Sequence, residues 1–170
     1  MGGVNGISVK DRKTNTVAEE IKVQLAAGKN KIEVSVMNEA GAESIAETFE
    51  ILNTKEVGKP SLYMVTIGVS KYSDKKFNLN YASKDAENML SLFKQDSLFK
   101  SVNELILNNE AATLTNEMKI KSFLEKATIN DHVIVFVAGH GVLDANLNYY
   151  LANHDMDFSK PEQNGLAYEK

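Results

Sequence analysis

The chain has 170 residues, of which 43% are hydrophobic and 25% are charged, as in an ordinary globular protein of one or one and a half domains. Its net charge of −4 argues against a broad surface for nucleic acid or anionic lipid, since both ligands are negative. With no cysteine, these residues form no disulfide, no thiolate zinc site and no cysteine nucleophile. They contain no apolar run of membrane-spanning length and no signal peptide, and they leave the cellular location open.

Residues 1–57 are predicted to be β, because apolar and polar residues alternate in three runs separated by turn-type residues. The apolar positions are Ile21, Val23 and Leu25, then Ile32, Val34 and Val36, and finally Phe49 and Ile51. The stretch 28–41 resembles the last hairpin of bacterial immunoglobulin-like modules. We therefore expect a partial immunoglobulin-like β domain, since so few strands hardly bury an inner face. Charged residues with glycine and proline predict a linker at residues 58–60.

From residue 61 strands alternate with helices. A continuous apolar strand spans residues 62–69, a polar loop spans 71–80, and Ser83 is expected to cap a helix. That helix would bury Ala86, Met89, Leu90 and Phe93. The later elements are a strand at 105–107, a helix capped by Thr113 or Thr115 that buries Ile120, Phe123, Leu124 and Ala127, a strand at 132–138, a short segment at 149–151, and the start of a helix at 165–170. This order predicts an α/β domain with a mainly parallel sheet.

A histidine between two glycines follows the strand at 132–138. Functional groups in α/β folds lie just beyond the carboxyl ends of such strands. His140 can exchange a proton near neutral pH, and Gly139 and Gly141 are expected to let a substrate backbone approach the imidazole. The pattern predicts an acid–base site at His140. Two further histidines, His132 and His154, are interpreted as structural or solvated.

Three segments, 63–72, 79–88 and 131–141, resemble in order and spacing the caspase–metacaspase family of cysteine peptidases, in particular bacterial metacaspase-like proteins with upstream β domains. The resemblance implies a caspase-like α/β/α sandwich over residues 61–170. It also implies that the sheet is incomplete, since the family carries its nucleophilic cysteine on the next core strand, expected beyond Lys170. The exposed edge at 133–138 is then expected to promote self-association.

The resemblance also assigns roles. His140 would be the catalytic histidine and the Gly141 N–H would belong to the oxyanion hole, while a buried Asp85 would select a substrate Arg or Lys before the cleaved bond. Asp85 is equally explained as a helix-terminal charge. The implied parent is an endopeptidase that acts on peptides or proteins. This chain by itself is expected to be inactive. Ala138 stands where many metacaspases have serine.

No cofactor is predicted except calcium, for which Asp155 and Asp157 are candidates by analogy with some relatives; a solvated loop is the competing interpretation. Two alternatives to the peptidase remain. One is a pseudopeptidase or interaction module with a caspase-like fold. The other is a flavodoxin-like ligand-binding domain, although no phosphate-binding glycine loop follows the first strand.

Overall fold

The structure, a computed structural model, describes residue 18, residues 20–95 and residues 97–168. Its strands are β1 (Gly28–Val34), β2 (Glu47–Asn53), β3 (Leu62–Gly68), β4 (Val102–Asn108), β5 (His132–Ala138), β6 (Gly141–Leu143), β7 (Tyr149–Leu151) and β8 (Leu166–Ala167). Its helices are α1 (Ala82–Lys94), α2 (Leu114–Leu124) and α3 (Pro161–Asn164).

The central element is a parallel sheet in the order β4-β3-β5. Strand β3 is almost wholly buried because it is paired on both edges and covered on both faces. Successive side chains of a strand point to opposite faces. Accordingly Leu62 and Met64 pack with Leu90 of α1, whereas Val65 and Ile67 belong to the cluster that includes apolar residues of α2. The predicted α/β class, with helices on both faces of a parallel sheet, is confirmed.

The two long helices begin in different ways. Of the two predicted caps of α2, Thr113 is the one that acts, with its side chain accepting a hydrogen bond from the Asn116 N–H. The prediction that Ser83 caps α1 is wrong, since α1 already begins at Ala82. Instead, the hydroxyl of Ser70 accepts from the Ser83 N–H at 2.9 Å. Ser70 follows β3, so the fold brings a cap to this helix from outside it.

The segment near residue 165 also differs from the expectation. The predicted helix from Gly165 is wrong over its described part, because α3 ends at Asn164 and residues 166 and 167, after Gly165, form β8. Pro161 suits a first helical turn. A β-carbon at Gly165 would lie 2.5 Å from the Pro161 carbonyl oxygen, so glycine lets the chain turn sharply there. Strands β6, β7 and β8 form a small antiparallel sheet, and residues 169 and 170 lie outside the described residues.

Upstream, β1 and β2 form an antiparallel hairpin with Ile32 opposite Phe49, so the predicted apolar positions do share one face. The first predicted run, 21–25, is irregular rather than a strand, and that prediction is wrong. Residues 1–17 and 19 of the predicted β domain lie outside the described residues. The hairpin contacts the larger domain through a hydrogen bond of 3.0 Å from the Ala27 N–H to Asn130 Oδ1.

Candidate active site

His140 lies two residues beyond β5, at the carboxyl edge of the parallel sheet where the sequence pattern predicted a site. Its backbone is held on both sides. The His140 N–H donates to the Tyr72 hydroxyl at 3.0 Å, and its carbonyl accepts from the Ala152 N–H at 2.9 Å. Because these partners come from the loop after β3 and the end of β7, three separate segments meet at this histidine.

The imidazole itself is oriented by one hydrogen bond. Its Nε2 lies 2.9 Å from the carbonyl oxygen of Phe77. A carbonyl oxygen only accepts, so Nε2 must carry the proton. In the neutral ring Nδ1 then has the free lone pair, and Nδ1 is the atom able to take a proton from a reacting group.

Three aromatic rings surround the imidazole. The ring centroids of Tyr72, Phe77 and Phe158 lie 5.3, 6.2 and 5.8 Å from that of His140. Burial raises the pKa of the Tyr72 hydroxyl, against a smaller lowering by its hydrogen bond with the His140 backbone. Sequence reasoning missed all three rings, although Phe77, a large apolar residue in the predicted polar loop 71–80, was an available signal.

Gly141 opens β6 and stands opposite Leu151 of β7. The hydrogen bond from the Ala152 N–H to the His140 carbonyl makes Gly141 and Leu151 a non-hydrogen-bonded pair, so the Gly141 N–H points away from β7. The expectation that this glycine leaves room for a substrate needs correction. A β-carbon at Gly141 would overlap with the Tyr149 ring, so the vacant volume is already filled by that side chain.

Asp85 lies in the first turn of α1 and is exposed, which corrects the expectation of a buried carboxylate. It lines a groove between α1 and β5, together with Asn88, Met89, Leu92 and Phe136. The rings around His140 pack instead with the apolar cluster on the α2 face. Asp85 and the rings that contact His140 therefore lie on opposite faces of the parallel sheet, both near its carboxyl edge.

The two calcium candidates, Asp155 and Asp157, line a cleft next to the stacked rings of Phe77 and Phe158. The Ser159 hydroxyl and N–H donate to Asp157 at 2.7 and 2.9 Å, and these bonds lower the pKa of its carboxyl. Within the described ranges no group of three or more His, Cys, Asp or Glu side chains is arranged to hold a metal ion. The calcium site stays a prediction.

The fold and the site define an α/β domain with an oriented histidine at the carboxyl edge of a parallel sheet. The caspase domain family matches residues 63–163, which include this sheet and His140. That match covers more than half of the chain, and the chain belongs to the caspase domain family of peptidases. Comparisons with curated proteins and with solved structures gave no match. Among the described residues, no helix is both long and apolar enough to cross a membrane.

Proposed function

We propose that these residues contribute the histidine of a Cys–His dyad to a caspase-like cysteine endopeptidase. The observation that carries the proposal is the bond between His140 Nε2 and the Phe77 carbonyl. It leaves Nδ1 as the basic atom at the edge of the sheet, where a thiol from a neighbouring segment would meet it. Membership of the caspase domain family supports the same chemistry.

The reaction is acyl transfer. A thiolate attacks the scissile carbonyl, the imidazolium of His140 gives its proton to the leaving amine, and water then hydrolyses the acyl-enzyme. The Gly141 N–H, which points away from β7, would donate to the developing oxyanion. None of the 170 residues is a cysteine, so the thiolate of this mechanism would come from outside them. We expect the 170 residues by themselves not to hydrolyse peptides.

A preference for Arg or Lys before the cleaved bond is supported by the groove at Asp85. Long basic side chains place an apolar stem against apolar surface and keep the charged group near solvent. The groove offers Met89 and Phe136 for the stem and the Asp85 carboxylate for the charge. A carboxylate and a guanidinium form a charge-assisted pair.

The test is hydrolysis of Arg- and Lys-terminated fluorogenic peptides by the natural gene product that contains these residues. We expect activity that iodoacetamide abolishes and that His140→Ala abolishes. The matched control is His132→Ala, which removes the histidine at the other end of β5 and should retain activity. Hydrolysis that resists iodoacetamide and survives His140→Ala would refute the dyad.

A second candidate is an interaction module that has the fold without the chemistry. Val133, Val135 and Val137 of β5 are 48%, 48% and 36% exposed, so in the described structure one face of this strand lacks cover. A folded gene product that cleaves no peptide would favour this function. The flavodoxin-like alternative has no support from the family match.

A further inference from the structure

Two loops meet over the His140 imidazole, and a ring stack joins them. Phe77 comes from the loop between β3 and α1, and Phe158 from the loop between β7 and α3. Their centroids are 3.6 Å apart with an interplanar angle of 12°. Phe158 also presents an edge-to-face contact to the imidazole at 5.8 Å and 82°. One phenyl ring thus touches both the histidine and the residue whose carbonyl orients it.

The rest of the first loop is closed by its own hydrogen bonds. The Tyr72 N–H donates to Asn78 Oδ1 at 2.8 Å, which ties together the two ends of the segment that contains Phe77. The Ser73 N–H donates to the His154 carbonyl at 2.9 Å, which fixes the other loop beside it. The Phe77 N–H also donates to the Asp74 carbonyl at 3.1 Å, and the Asn78 N–H donates to the Lys75 carbonyl at 3.2 Å. These bonds hold the Phe77 backbone within its own loop, whereas the ring stack links Phe77 to the loop that carries Phe158.

We propose that Phe158 is a positioning residue for His140. By stacking on Phe77 it keeps the Phe77 carbonyl in line with Nε2, and by its edge contact it restricts rotation of the imidazole. Both effects hold the proton on Nε2 and the lone pair on Nδ1. The consequence for catalysis rests on the proposed function, whereas the effect on the tautomer does not.

The experiment measures the tautomer directly in the 170-residue chain labelled with 15N-histidine, by long-range 1H–15N correlation spectra at a pH where the rings are neutral. His154 is an internal reference of the opposite kind, because its Nδ1 lies 2.7 Å from the Lys71 carbonyl and must carry the proton. In the unmodified chain we expect His140 to be protonated on Nε2. In Phe158→Ala we expect the ratio of the Nε2-protonated to the Nδ1-protonated His140 tautomer to fall roughly three- to tenfold. This fold-change corresponds to the net free energy of one hydrogen bond. Phe158→Tyr retains the ring and should restore the ratio.

The matched control is Phe99→Ala. Phe99 is also partly buried and lies edge-to-face against a histidine, His132, at 5.5 Å. Its loss should leave the His140 tautomer unchanged. The proposal is overturned if folded Phe158→Ala keeps the original ratio, or if Phe99→Ala shifts it as much. Should Phe158→Ala unfold in a thermal melt, Phe158→Leu is read in its place, because leucine retains apolar bulk without a ring to stack. The spectra need no peptidase activity. An inactive gene product would therefore count against the proposed function but not against the positioning role of Phe158.

Discussion

The ring of Tyr149 lies over the α-carbon of Gly141, diagonally across the antiparallel pair of β6 and β7. Because Leu143 stands opposite Tyr149 and is two residues from Gly141, all three residues share one face of the small sheet. An aromatic side chain covers the bare backbone that a glycine leaves in a strand. A β-carbon on the residue next to the candidate catalytic histidine would therefore overlap with the Tyr149 ring unless that ring moved.

This relationship predicts that Gly141→Ala destabilises the chain by about 1–3 kcal/mol, the usual cost of overpacking. Urea denaturation of the 170-residue chain measures the loss. Gly58→Ala is the control, because a β-carbon there meets nothing within 4 Å. The double variant Gly141→Ala with Tyr149→Ala should show less than the summed cost, since the second change removes the clash. Equal stabilities of Gly141→Ala and Gly58→Ala would contradict the packing.

The role of Asp85 is tested by separating specificity from stability. In the active gene product, Asp85→Ala should lower kcat/KM for Arg substrates by about 1 kcal/mol in transition-state stabilisation, the upper range for an ion pair with an exposed carboxylate. Its unfolding free energy should change by no more than ~1 kcal/mol, the contribution of a charge to a helix dipole. Glu87→Ala, which removes another exposed carboxylate of α1, is the matched control and should leave kcat/KM unchanged. If Asp85→Ala lowers the melting temperature but Arg cleavage persists, Asp85 is only a helix-terminal charge.

The free energy of unfolding should depend on pH through Glu117, a buried carboxylate of α2 of which only 6% is exposed. Burial raises the pKa of its carboxyl above 4.5, the Asn153 amide lowers it less, and the charge of Asp155 adds to the rise. One oxygen, Oε1, has no hydrogen-bond partner. A raised pKa in the folded state means that the stabilising contribution is complete below the unfolded value, near 4.5, and is lost as the pH rises through the folded value.

Glu117→Gln should therefore stabilise the chain at pH 7, by about 1–2 kcal/mol, because it removes a buried charge. The gain should shrink as the pH falls towards 4.5, where the native carboxyl is neutral too. Urea titrations at several pH values measure both effects. A gain that is the same at pH 7 and pH 4.5 would show that folding does not shift the pKa of Glu117, and would refute the prediction.

The pKa of Asp131 is shifted in the opposite direction from that of Glu117, so its effect on stability depends on pH in the opposite way. Its carboxylate accepts from the N–H groups of Thr128 and Ser61 and from the Thr128 hydroxyl, and these bonds lower its pKa. The stability from a lowered pKa is present above the unfolded value and lost as the pH falls through the folded one. Asp131→Asn should cost roughly 1 kcal/mol at pH 7, the size of a lost capping bond, and progressively less in acid. A cost that grows in acid would contradict this assignment.

Strand β5 is paired with β3 on one edge and, within the described residues, has no strand on the other. Amide hydrogens of residues 133–138 should exchange faster than those of β3, which is paired on both edges. We expect the chain to self-associate through this edge and its exposed valines. Val135→Lys should reduce the sedimentation coefficient, because a charge on an edge strand opposes pairing. Val57→Lys, at a similarly exposed position outside the strands, is the control. A monomer with equal protection of β3 and β5 would refute the prediction.

Local sequence was sufficient for the α/β class, the buried central strand and the position of His140 at the end of β5. These features follow from the spacing of apolar residues, because periodicity within one element records which faces of that element are buried. The cap of α2 was also readable, since Thr113 lies next to the helix that it caps.

Only the tertiary structure decided the tautomer of His140, the aromatic rings around it, the cap that Ser70 supplies to α1 and the filling of the space above Gly141. Each of these rests on a contact between separate elements. Phe77 and His140, for example, are 63 residues apart in the chain. No pattern within a single element specifies which backbone carbonyl an imidazole meets, because that depends on how loops from different strands converge at the edge of the sheet.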